Sequence, residues 1–171
     1  MKVIFVRHGA PDYHELEERS YTGFGLDLAP LSEQGRRQAQ ELCQHPLLRS
    51  ADLLVSSAVT RALETASYVA CATALPLRVE PLLHEWQVYQ TGRENFEKAR
   101  SLFLENNGEL LSNSPLQYET AEEMKARFVD CMAKYRDYQT VVLVAHRMLI
   151  RQFVPDKQID FCQVIECDIE I

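Results

Sequence analysis

Two histidines and two arginines stand where a phosphate group could be met. Arg7-His8-Gly9 follows the run Lys2-Val3-Ile4-Phe5-Val6, and Ser56-Ser57 follows Leu53-Leu54-Val55 with Arg61 one helical turn further on. His146 follows Thr140-Val141-Val142-Leu143-Val144-Ala145. Guanidinium groups form bidentate, charge-assisted hydrogen bonds to phosphate oxygens, and imidazole can donate a proton or attack as a nucleophile. Taken singly, each residue has a bland structural reading: a salt bridge for Arg7, a helix-surface charge for Arg61, satisfied strand ends for His8 and His146. Ligands of open α/β sheets bind beyond the carboxyl ends of the strands, so four such residues after apolar runs make a set.

The elements that must position this set can be read from periodicity. Residues 2–6 and 140–145 are continuous β-branched-rich runs, as expected of strands buried on both faces of a parallel sheet. Residues 53–55 and 75–79 carry weaker versions of the signal. Val59, Ala62, Leu63, Ala66, Val69 and Ala70 lie on one face of a helix. Ser32 reads as the N-cap of a helix with Ala39, Leu42 and Cys43 on one side, ending before Pro46. Thr120-Ala121-Glu122-Glu123 is a capping-box pattern, followed by an inward stripe of Met124, Phe128, Cys131, Met132 and Tyr135. A helix over 93–105 is expected within a polar excursion over 87–117, and a short one over 148–153 should stop at Pro155. The tail from Phe161 to Ile171 reads as one or two strands, and Gly23-Phe24-Gly25 as a turn. The expected fold is α/β: a three-layer α/β/α sandwich with a mostly parallel central sheet, one domain over residues 1–171.

Composition narrows the function classes. With 46% hydrophobic and 25% charged residues in 171, the chain has the composition of an ordinary globule, and no apolar stretch approaches the ~20 residues of a membrane span. A net charge of -7 without a Lys/Arg tract argues against nucleic acid or an anionic membrane as partner, so an anionic ligand must be met by a local cationic pocket. The apolar run at the N-terminus is too short for a signal peptide, which makes a cytoplasmic location the expectation. Five scattered cysteines fit neither a disulfide framework nor a zinc site and are expected as buried reduced thiols, with Cys71, Cys131 and Met132 in the core. No metal-ligand spacing or Gly-rich phosphate loop calls for a metal or a cofactor. Nothing in the sequence specifies an oligomeric state.

The motif order extends the set. Arg7-His8-Gly9 is followed by Asp27-Leu28-Ala29-Pro30-Leu31-Ser32-Glu33-Gln34-Gly35 with Gln38-Ala39, then by Ser56-Ser57 to Arg61-Ala62 with Thr65-Ala66. Leu83-His84-Glu85 and Val144-Ala145-His146 with Leu149-Ile150-Arg151 complete it. This order and separation, over nearly the whole chain, resembles the histidine phosphatase superfamily with its phosphoglycerate-mutase-like fold. The resemblance implies a nucleophilic His8 that accepts the phosphoryl group. It also implies that Arg7, Arg61, His146 and Gly9 hold the phosphoryl oxygens, and that Glu85 is the general acid. On chemical grounds the nucleophile must be neutral, and an acid that later acts as base needs a raised pKa. Asp12, Glu15, Glu17 and Glu18 are rival acids, with a solvated acidic loop as their bland reading. His84 and Trp86 read as rim or packing residues.

Two departures bear on specificity. Ala10-Pro11-Asp12-Tyr13-His14 stands where many relatives carry a Thr and an Asn that touches phosphate, and Arg147 stands where the second histidine is usually followed by Gly. Arg147 either crowds the pocket or recognises a second anionic group. The implied activity is metal-independent hydrolysis of a small phosphorylated metabolite through a phosphohistidine on His8. Mutase-type phosphotransfer, phosphohistidine phosphatase activity, and a non-catalytic binder of phosphorylated ligands or a partner protein are the alternatives. Tyr13, His14, Arg19, Tyr21, Trp86 and Arg147 are expected at the rim.

Overall fold

The computed structural model describes residues 1–154 and 158–170, so the expected helix stop at Pro155 and the last residue of the tail, Ile171, lie outside the described residues. In chain order the elements are β1 (Lys2–Arg7), α1 (His14–Glu18), α2 (Glu33–Leu42), β2 (Leu53–Ser57), α3 (Thr60–Thr73), β3 (Leu77–Glu80), α4 (Arg93–Glu105), α5 (Ala121–Met132), β4 (Thr140–Ala145), α6 (Arg147–Ile150) and β5 (Val164–Asp168). Short 3-10 turns occupy Gly23–Leu28, Pro46–Ser50, Pro81–Leu83 and Ala133–Tyr135.

The sheet runs β3-β2-β4-β1-β5. β1 pairs parallel with β4, β4 with β2 and β2 with β3, while β5 lies antiparallel to β1. The continuous apolar runs follow from burial on both faces. Val3, Phe5, Val141, Leu143, Leu53 and Val55 face a layer that includes α4, α5 and α6. Ile4, Val6, Val142, Val144 and Leu54 face α3 and the C-terminal end of α2. Alternate side chains of one strand therefore serve two cores, and a one-residue slip would exchange them. The mostly parallel three-layer fold is the expected one, with the tail supplying a single antiparallel strand.

Local signals work as read. Ser32 Oγ accepts from the Gly35 N–H at 3.0 Å and caps α2, and Thr120 with Glu123 closes the capping box of α5. Boundaries moved where tertiary pairing decides: β2 extends to Ser57, and β3 begins at Leu77 rather than 75. The expected helix over 148–153 starts at Arg147 and ends at Ile150, passing into turns over 151–153. The acidic stretch after the first strand forms α1, and Gly23-Phe24-Gly25 opens a 3-10 turn. Cys131 and Met132 are in the core, but Cys71 is exposed, because α3 turns that position away from the sheet. Among the described residues no helix is long and apolar enough to cross a membrane.

Candidate functional site

β1 and β4 are adjacent and parallel, with Arg7 opposite Ala145, so the residues that follow them emerge side by side. The His8 N–H continues the ladder to the Ala145 carbonyl at 3.1 Å. The rings of His8 and His146 face each other with centroids 5.2 Å apart. β2 ends on the far side of β4, and α3, which starts there, brings Arg61 over His8.

The imidazole of His8 has a defined tautomer. Nδ1 is 2.7 Å from the Gly9 carbonyl, an acceptor only, so Nδ1 carries the proton and Nε2 presents its lone pair. Nε2 accepts from Arg61 Nε at 3.3 Å. Burial holds the His8 pKa well below the ordinary imidazole value, and the Arg61 charge adds to this. His146 is lowered for the same reasons, burial first and then Arg61 and His8. Its Nε2 lies 2.8 Å from Ser57 Oγ, which also accepts the Val59 N–H. When Ser57 donates to Nε2, His146 Nδ1 bears a proton, and that buried nitrogen has no partner.

Arg7 is bound to the Ile159 carbonyl through Nη1 at 2.6 Å and lies over the Phe161 ring at 3.8 Å, with its buried Nε unpartnered. Arg61 is buried and reaches Asp27 at 3.5 Å. Glu85 Oε1 accepts from Trp86 N at 2.9 Å and Met148 N at 3.3 Å, which ties the segment after β3 to the start of α6. Burial raises the Glu85 carboxyl above its ordinary value despite these bonds and the nearby Arg61 and Arg7 charges. The arrangement brings together a neutral imidazole whose Nε2 lone pair meets only Arg61, two guanidinium groups, an unpartnered imidazole nitrogen and a carboxyl biased toward its protonated form. Such a set can hold a tetrahedral oxyanion and exchange a proton beside it.

The structure brings together Arg7, His8, Gly9, Arg61, Glu85, His146 and Arg147. Gly9 donates its N–H to Thr65 Oγ1 at 3.0 Å and accepts from His8 Nδ1 through its carbonyl, so its place in the site is beneath the imidazole. The rival acids lie on exposed α1 or just before it. Glu15 meets Arg19, Glu18 meets His14, and Asp12 accepts from the His14 N–H. Of the expected rim, Tyr13 feels the charges of Arg61, Glu85 and Arg7, and Arg19 and Tyr21 line a cleft of about 420 Å³ with Asp12 and Leu28. Trp86 is instead buried, donating Nε1–H to the Glu119 carbonyl and packing on Phe96 and Phe103.

Several supports belong to motifs already quoted, though their tasks were not legible from residue type. Thr65 bridges Gly9 and the Arg61 carbonyl, Gln38 Oε1 accepts the Ala10 N–H, and Ser57 holds His146. Phe161 and the Ile159 carbonyl were missed as site residues; Phe161, expected to open a strand, lies with Ile159 in the irregular segment before β5.

The histidine phosphatase superfamily (branch 1) matches residues 3–156. The chain belongs to that family, and it is a phosphatase. A mycobacterial glucosyl-3-phosphoglycerate phosphatase, solved with VO3, is similar at 28% identity and TM-score 0.67, over 88% of this chain and 78% of that one. Two others share the fold. They are YhfR of Bacillus stearothermophilus (18% identity, TM-score 0.74, 99% and 91% coverage) and the alpha-ribazole phosphatase of Shigella flexneri (23%, 0.61, 88% and 76%). No curated protein matches the chain.

Proposed function

We propose that the protein hydrolyses a small phosphomonoester without a metal, through a phosphohistidine on His8. The observation that carries this reading is the His8 tautomer: the Gly9 carbonyl accepts the Nδ1–H at 2.7 Å, and the buried, neutral Nε2 keeps a lone pair that meets only a long 3.3 Å bond from Arg61, which a bound phosphoryl group would draw to its own oxygens. Nε2 attacks phosphorus, the N–P bond forms, and the ester P–O bond breaks. Arg7, Arg61 and His146 Nδ1–H offset the charge on the phosphoryl oxygens. Glu85 gives its proton to the departing alkoxide. Water then attacks the phosphohistidine, Glu85 recovers a proton from it, the N–P bond breaks and inorganic phosphate leaves.

A small phosphorylated metabolite as substrate is supported by the family and by the named activity of the mycobacterial relative, which is 28% identical. Five free cysteines suit a reducing compartment such as the cytoplasm. The test is hydrolysis of p-nitrophenyl phosphate with excess chelator, by the parent and by His8→Ala. The parent is expected to turn over and His8→Ala not; rapid quenching should trap an acid-labile, base-stable phosphoenzyme in the parent. Turnover that needs added metal, or that survives His8→Ala, would overturn the reading. Absence of turnover would favour the non-catalytic binder.

A further inference from the structure

Arg147 opens α6 between two residues that already face the pocket. His146 stands against His8, and the Met148 N–H meets Glu85. The other two arginines of the site are anchored by protein groups, Arg61 by Asp27 and Arg7 by the Ile159 carbonyl and the Phe161 ring. Arg147 differs: it is half-buried, its Nε is enclosed without a hydrogen-bond partner, and among the described residues no carboxylate pairs with it. Its positive charge reaches Arg7 in the pocket and Arg151 one turn further along the chain. A half-buried guanidinium with an enclosed, unpartnered N–H has lost water without gaining a protein acceptor, and an anion brought by a ligand supplies one.

The direction follows from Glu85, which in the proposed reaction marks the side on which the leaving oxygen departs. The Met148 N–H meets that carboxyl, so the backbone of Arg147 stands at the Glu85 edge of the pocket, and its charge reaches Arg7 there. We propose that Arg147 is a specificity residue that binds a second anionic group, carboxylate or phosphate, carried by the leaving group of the substrate. The substrate class is thereby a phosphomonoester with an anion close to the ester oxygen, in preference to the ester of a neutral alcohol. This inference rests on the phosphatase reading of the same pocket.

The experiment compares kcat/KM for phosphoglycolate, 1,2-ethanediol bisphosphate and 2-hydroxyethyl phosphate, which present a carboxylate, a second phosphate and a neutral hydroxyl. The parent should favour at least one anionic ester over the neutral one by about tenfold or more, the worth of a charge-assisted contact. Arg147→Gly should bring that ratio to within about twofold. Arg147→Lys should keep more of a preference for the second phosphate than for the carboxylate, because a point charge loses the planar fork that a carboxylate matches. The anionic ester that is preferred identifies which group the site takes. A parent ratio near one, or a ratio undiminished in Arg147→Gly, would sink the inference. Calorimetric binding of the same three ligands separates the two claims. Arg147-dependent preference in binding without turnover sinks the hydrolytic mechanism and leaves the second-anion site standing. Turnover with no preference in rate or binding does the reverse.

Discussion

His8 and Glu85 lie in one pocket and are driven to opposite protonation behaviour by the same cause. Burial disfavours charge, so the imidazole loses its proton more readily and the carboxyl keeps its own. The pH dependence of kcat/KM follows with a definite sign. On the acid side activity persists below the ordinary imidazole value of 6.5, because His8 is still neutral there. On the alkaline side it falls as pH climbs through the raised pKa of Glu85, which must be protonated to act on the leaving group. Glu85→Gln should remove the alkaline limb and lower the rate on alkyl phosphates by roughly 10²–10⁴. With p-nitrophenyl phosphate, whose leaving group needs less protonation, the loss should be smaller. An alkaline limb unchanged in Glu85→Gln would assign it to another group. Residue types at strand ends made Arg7, His8, Arg61 and His146 legible in the sequence, because topology delivers strand ends to one place. The Phe161 ring under Arg7 was not legible: the contact joins positions more than 150 apart through backbone with no repeating pattern.

At the scale of elements, the loop after β1 is clamped to the start of α2. Ser32 donates N–H and Oγ–H to the Ala10 carbonyl, Asp12 N–H reaches Pro30, and Ala10 N–H reaches Gln38. The clamp depends on two glycines with backbone against backbone. A Cβ on Gly35 would stand 2.1 Å from the Ala10 oxygen, and one on Gly9 2.7 Å from the Gly35 oxygen. Gly35→Ala must therefore displace the loop that carries the Gly9 carbonyl and with it the His8 proton. We expect it to lower both Tm and kcat, the latter by tenfold or more; thermal melts and p-nitrophenyl phosphate rates check this together. Elements set by strong local patterns, such as the capped α2 and α5 and the apolar β1 and β4, were legible. α1, a single five-residue helix of mainly acidic residues, and the 3-10 turns are held by contacts with the rest of the fold, which propensity alone does not report.

At the scale of the whole molecule, the site opposes the stability of the fold around it. Buried Arg7 Nε and His146 Nδ1 lack partners, and each such group costs about 1–3 kcal/mol. An oxyanion in the pocket supplies the missing partners and binds the folded chain alone. Orthovanadate at about a hundred times its Kd should stabilise the protein by roughly 2.7 kcal/mol, or about 5–10 °C in Tm. Arg61→Ala should abolish most of that shift, as a thermal titration would read.

The strand order carries one more consequence, for the growing chain. β1 is made before both strands that pair with its edges, β4 at Thr140–Ala145 and β5 at Val164–Asp168. During synthesis Val3-Ile4-Phe5-Val6 emerges with no partner on either edge until β4 has followed it. Four side chains that end fully buried are thus an exposed apolar edge while they wait. Catalytic competence waits on distant residues, since neither His146 nor the segment around Phe161 exists for His8 and Arg7 to meet until both have been made.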